Sequence, residues 1–105
     1  MQDTPLFTEI VAFAIPDHMS REEVLAAYAA SAPIWREHPD LIRKNYLLDL
    51  ETRRGGGVYL WRSREAAEEA HGPAFRARIN AAFGAEPAIS VFETPLIVDN
   101  APVPA

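Results

Sequence analysis

Apolar and polar positions along the chain alternate in blocks that predict four strands and two helical crossovers. Leu6 to Ile15 carries an unbroken apolar run from Ile10 onward, rich in Ile, Val and Phe, and ends at Pro16. Such a run reads as a strand covered on both faces. Ser20 and Glu23 stand three residues apart, the spacing of a capping box in which a hydroxyl and a carboxylate satisfy the first free amides of a helix. Behind them Val24, Tyr28, Ser31 and Trp35 recur at helical steps. Pro33 interrupts this stripe and predicts a kink or a restart, because it lacks an amide hydrogen. Pro39 ends the segment. From Leu41 to Glu51 the pattern turns to period two. Ile42, Lys44, Tyr46, Leu48 and Leu50 share one face, and Arg43, Asn45, Leu47 and Asp49 share the other. Thr52 to Gly57 predicts a turn, and Val58 to Arg62 the returning strand of a hairpin.

Ser63 is placed to cap a second helix, with Glu65 in its first turn and Gly72 closing it near His71. Pro73 opens a further short helix in which Phe75, Ile79 and Phe83 repeat every four residues until Gly84. Ala88 to Val98 predicts the last strand, broken at Pro95. The order β-α-β-β-α-β is that of the split βαβ, an α+β ferredoxin-like sandwich with a four-stranded antiparallel sheet. Both crossovers then lie on one sheet face. The other face should alternate apolar with polar if it met water, yet the runs at 10–15 and 58–61 are apolar on both sides. A homodimer packed sheet to sheet is the economical expectation.

Composition narrows the chemistry. At 105 residues the chain is one domain, with a core expected over 6–98 and a frayed C-terminal tail. Roughly 65% of the unfolded surface is buried in a domain of this size. The absence of cysteine excludes disulfides, thiolate metal sites and cysteine nucleophiles. A net charge of −5 argues against nucleic acid or an anionic membrane as the main partner. The N-terminus shows no signal-peptide pattern and no apolar run is long enough to span a membrane, so a cytoplasmic location is expected.

The segments Pro33 to Tyr46, Gly56 to Trp61 and Ser63 to Glu68 resemble the YdhR-like monooxygenase family. That family is a branch of the dimeric α+β barrel superfamily, which also contains the antibiotic-biosynthesis monooxygenases. The resemblance covers about 6–98 and implies the same fold and sheet-to-sheet dimer. It implies a cofactor-independent monooxygenase acting on a small aromatic or polyketide-like molecule in a pocket between sheet and helices. Such an enzyme must hold its substrate as an electron-rich anion able to pass an electron to O₂, inside a dry cavity.

Within that expectation, Tyr59 and Trp61 share a face of one strand and are placed to orient a substrate, while Trp35 and Tyr46 wall the pocket. Core aromatics show the same spacing. His38 and His71, each at a helix end, are the candidate bases, and surface histidines capping helices would look the same. No pair of histidines has the spacing of a metal motif, so no metal is expected, and with no dinucleotide fingerprint no NAD or flavin cofactor is expected either. Haem-degrading enzymes of the superfamily use a strand tryptophan, a helix histidine and a first-strand asparagine. Trp61 and His71 are similar to the first two, but the first strand has no asparagine, and Glu9 is its only charged residue. Gly55, Gly56 and Gly57 read as a flexible turn, and Arg53, Arg54, Arg62 and Arg64 as partners of Glu65, Glu68 and Glu69. The alternative to catalysis is a dimer that binds a small hydrophobic ligand or serves in a stress response.

Overall fold

The computed structural model describes residues 5–100; the tail at 101–105 lies outside them. Strand β1 (Leu6–Ala14) leads to helix α1 (Arg21–Arg36), the hairpin β2 (Leu41–Asp49) and β3 (Arg54–Trp61), helices α2 (Arg64–Ala70) and α3 (Pro73–Phe83), and strand β4 (Ala88–Thr94). The sheet is antiparallel with order β2-β3-β1-β4. This is the expected α+β ferredoxin-like fold. Among the described residues, no helix is long and apolar enough to cross a membrane.

Local chemistry explains the element ends. The Ser20 amide donates to Glu23 Oε1 at 2.8 Å and the Glu23 amide donates to Ser20 Oγ at 3.1 Å, completing the capping box of α1. Those bonds also hold the Glu23 carboxyl below its ordinary range. Helix α1 runs through Pro33 without a restart. The carbonyl of Ala29, which loses its intrahelical donor there, is on the solvent side, where Ala29 and Pro33 are both exposed. Ser63 Oγ accepts the Ala66 amide at 3.1 Å, and His71 itself, not Gly72, forms the C-cap of α2. Gly72 instead opens α3, and Gly84 closes it in the left-handed conformation at φ 80°.

The glycine run corrects the expectation of a turn. The hairpin turn lies at 50–53, and Gly55, Gly56 and Gly57 sit inside β3, paired with β1 on one side and β2 on the other. A Cβ on Gly56 would lie 1.8 Å from the Val11 carbonyl oxygen, at a φ of +152°. One on Gly55 would lie 2.4 Å from the Tyr28 hydroxyl oxygen. The glycines therefore permit close approach rather than a bend. The arginine expectation also fails. Arg53, at φ 54°, donates through one guanidinium nitrogen to the carbonyls of Pro16 and Met19, tying the hairpin turn to the loop before α1. Arg62 reaches the Pro39 carbonyl and Arg64 lies over the Phe7 ring. None of these arginines pairs with a glutamate among the described residues, where the only ion pair is His71 with Glu9.

The core lies between the helices and the sheet face carrying Glu9, Val11, Phe13, Tyr59 and Trp61. The opposite sheet face stays bare. Ile10, Leu47 and Phe92 are exposed there at 39%, 39% and 55%.

Candidate functional site

Strand register places three side chains in one row on the helix-facing side: Lys44 on β2, Tyr59 on β3 and Glu9 on β1. Neighbouring strands are about 4.8 Å apart, so the two charges flank the tyrosine at about 10 Å from each other. Each end of the row builds a different environment.

At the Lys44 end a cavity of about 160 Å³ opens between α1, α3 and the sheet. Its floor is Val11, Gly56 and Tyr59, and its walls include Tyr28, Trp35, Phe75 and Phe83. Lys44 Nζ stands 3.8 Å from the Tyr46 ring centroid, 4.6 Å from Tyr59 and 4.7 Å from Trp35. These faces attract an ammonium. Burial acts against it and brings the Lys44 amine down to about 7. No carboxylate pairs with this amine among the described residues. The missing side chain of Gly57 makes room for it, since a Cβ there would lie 3.0 Å from Lys44 Cε.

A hydroxyl chain lines the same wall. Ser31 donates to the Tyr28 carbonyl at 2.9 Å, so the 2.6 Å contact between Ser31 and Tyr46 is a bond donated by Tyr46. The Tyr28 hydroxyl donates to the Leu47 carbonyl at 2.8 Å and accepts the Gly56 amide at 3.1 Å. Burial raises the Tyr28 phenol and raises that of Tyr59 much further, so both stay protonated at neutral pH.

At the Glu9 end the polar groups are buried and tied to one another. Glu9 is 1% exposed and Trp61 0%. Glu9 Oε1 accepts the Trp61 indole N–H at 2.9 Å and lies 2.5 Å from His71 Nδ1. The imidazole is packed against Phe75, Tyr59, Trp35 and Trp61, with ring centroids between 4.2 and 6.1 Å away. Its Nε2 is buried without a hydrogen-bond partner.

Of the residues singled out in the sequence, Trp35, Tyr46 and Tyr59 line the cavity. Trp61 and His71 meet each other through Glu9, outside that lining. His38 lies beyond the end of α1, where its Nδ1 accepts the Asp40 amide at 3.2 Å and its ring meets the Trp61 edge. It does not line the cavity either. Lys44 is the residue that sequence reasoning passed over. Its signal was present: it shares the inward parity of β2 with Tyr46 and Leu48, and it is the only lysine in a chain with nine arginines. Ile42, expected on that face, is instead exposed, because the strand shifts register between Leu41 and Arg43. Among the described residues, no three His, Asp or Glu side chains gather into a group able to hold a metal ion.

Solved structures share this architecture. A haem-degrading protein from Mycobacterium tuberculosis superposes with a TM-score of 0.66 at 22% identity, covering 93% of this chain and 100% of that one. A cofactor-independent oxygenase from Streptomyces nogalater gives 0.65 at 17% identity, covering 90% and 98%. A candidate antibiotic biosynthesis monooxygenase from Bordetella bronchiseptica gives 0.68 at 14% identity, covering 88% and 99%. The chain has the fold of the antibiotic-biosynthesis monooxygenases. No family model and no curated protein matches its sequence. The narrower YdhR-like resemblance therefore remains one of sequence pattern alone, and at these identities the likeness is one of fold, with chemistry to be argued from the site.

Proposed function

We propose that this chain is a cofactor-independent oxygenase of a small, planar, hydroxylated aromatic molecule, with Lys44 as the proton acceptor. The observation that carries this reading is a titratable amine inside an aromatic cavity with no carboxylate against it among the described residues. A base serves best when it titrates near the working pH, and burial brings Lys44 to about 7. The neutral amine takes the substrate's proton, and the ammonium so formed stands beside the aromatic anion. Arg78 on the cavity lining adds a permanent positive charge. The anion reduces O₂ by one electron, and recombination followed by loss of water converts a ring methylene and O₂ into a carbonyl and H₂O. Tyr59, Trp35 and Tyr46 hold the ring plane. The Tyr59 hydroxyl, with no protein partner among the described hydrogen bonds, is left to orient the substrate oxygen.

Oxygen uptake with an anthrone-type substrate tests the reading. Lys44→Met should lower the rate by about 10²-fold or more, and the wild-type rate should rise with pH through about 7 as the amine loses its proton. Equal rates for wild type and Lys44→Met would overturn it. A ligand retained in native mass spectrometry without any oxygen uptake would favour a non-catalytic binder of the same cavity.

Haem as a substrate finds less support. The polar atoms that Trp61 and His71 turn to Glu9 are buried, and a cavity of about 160 Å³ is small for a macrocycle.

The bare face bearing Ile10, Leu47 and Phe92 supports the further proposal of a sheet-to-sheet homodimer. Ultracentrifugation at micromolar concentration should show twice the 11.6 kDa mass of the chain, and a monomer alone would contradict it.

A further inference from the structure

We propose that Lys44 also captures carbonyl compounds, forming a Schiff base with small aromatic aldehydes or ketones that enter the cavity. This inference shares the cavity with the oxygenase reading but does not rest on any oxygen chemistry.

Four observations carry it. The chain has nine arginines and a single lysine, and that lysine alone among its basic side chains lies between three aromatic faces. A guanidinium would serve as well for a fixed charge, but it neither loses its proton at neutral pH nor condenses with a carbonyl. The amine has neither a carboxylate nor a hydrogen-bond partner among the described residues, so its lone pair is not engaged elsewhere once the proton leaves. The lining around it is mostly apolar, with Phe13, Ile34, Phe75 and Ile79 in the walls beside the Tyr28, Ser31 and Tyr46 hydroxyls and the Arg78 side chain. An apolar surround favours the dehydrated imine over the carbinolamine. Lys44 also borders a second hollow with Arg36 and Arg43, and its side chain is only part-buried.

The chemistry balances within the two reactants. The neutral amine adds to the carbonyl carbon, and a nitrogen-bound proton passes to the oxygen to give the carbinolamine. The C–O bond then breaks, the second nitrogen-bound proton leaves with the oxygen as water, and the C=N bond forms. An aromatic aldehyde occupies the cavity beside the amine while this happens, its ring against the lining faces of the aromatic side chains.

The test is reductive trapping. The full chain is incubated with benzaldehyde and cyanoborohydride at pH 7, without oxygen, and the benzyl adduct is mapped by peptide mass spectrometry. The same reaction in urea, where Lys44 is an ordinary solvated lysine, is the reference, and the N-terminal amine is the internal standard. Lys44 should be alkylated faster in the native protein than in the unfolded chain, by about tenfold, because the unfolded amine is almost wholly protonated at this pH. Lys44→Arg should leave only the N-terminal adduct. A native rate at Lys44 equal to or below the unfolded rate, or an adduct confined to the N-terminus, would overturn the proposal. Because oxygen is absent, this failure is distinct from a failure of oxygen uptake, and either reading can fall while the other stands.

Discussion

Glu9 and Lys44 occupy the same row of one sheet, with Tyr59 between them, and the fold treats the two charges in opposite ways. Around Glu9, an indole N–H and an imidazole converge on one carboxylate oxygen, and the helices close over the group. Around Lys44 there are ring faces, a cavity and, among the described residues, no counter-charge. A buried carboxylate held by two neighbouring polar groups is a structural tie, and removing it leaves those groups stranded. A buried charge without them is a standing cost to stability, and such a cost is kept where a reactive group is needed.

The difference can be broken from the Glu9 side first. Glu9→Ala strands the Trp61 indole and His71 Nδ1 in the core and should destabilise the fold by about 3–5 kcal/mol. The urea midpoint should fall accordingly. A loss below about 1 kcal/mol would mean that the trio is not the tie described. Gly56→Ala comes next. Its Cβ meets the Val11 carbonyl oxygen at 1.8 Å in a backbone conformation that side chains rarely adopt. A loss of about 3 kcal/mol in the same assay is expected.

The Lys44 side should respond with the opposite sign. The folded amine titrates at about 7, against an ordinary value of 10.5. Between those values the unfolded chain binds a proton that the folded chain does not, so the stability contributed at Lys44 rises with pH across the window and is lowest below it. Lys44→Met should therefore stabilise the protein at pH 7 by about 1–3 kcal/mol, less than the full linkage value because the amine is only part-buried. It should also flatten that rise with pH. Thermal melting of both proteins at pH 7 and pH 9 checks the sign. The smallest effect sharpens the boundary between the two regions. Trp61→Phe removes one donor to Glu9 and should cost about 1–2 kcal/mol, yet it should leave oxygen uptake unchanged, because Trp61 does not line the cavity.

Much of the architecture was legible because its signals are local. The Ser20 capping box, the Pro73 start and the Gly84 stop each act within a few residues, and the structure places a helix end at each. Alternation along 41–50 likewise placed Lys44 on the same face as Tyr46 and Leu48. What escaped depends on distance in sequence. The glycine run looks like a turn until the Tyr28 hydroxyl, 28 residues away, is found donating and accepting across it. His71 looks like a surface cap until Glu9, 62 residues away, is brought against it. Lys44 was overlooked because a lone charge in an apolar alternation reads as an exception. The pairing of its strand with the one bearing Tyr59, and the folding of α1 over both, turn that exception into an amine inside a cavity.

The central claim is that this amine titrates near neutrality, and the sequence makes it directly measurable. With one lysine in the chain, protein labelled with [ε-¹³C]lysine gives a single lysine signal in an NMR titration. A midpoint at about 7, moving up to 10.5 in urea, is the predicted result, and a native midpoint at 10.5 would contradict the account.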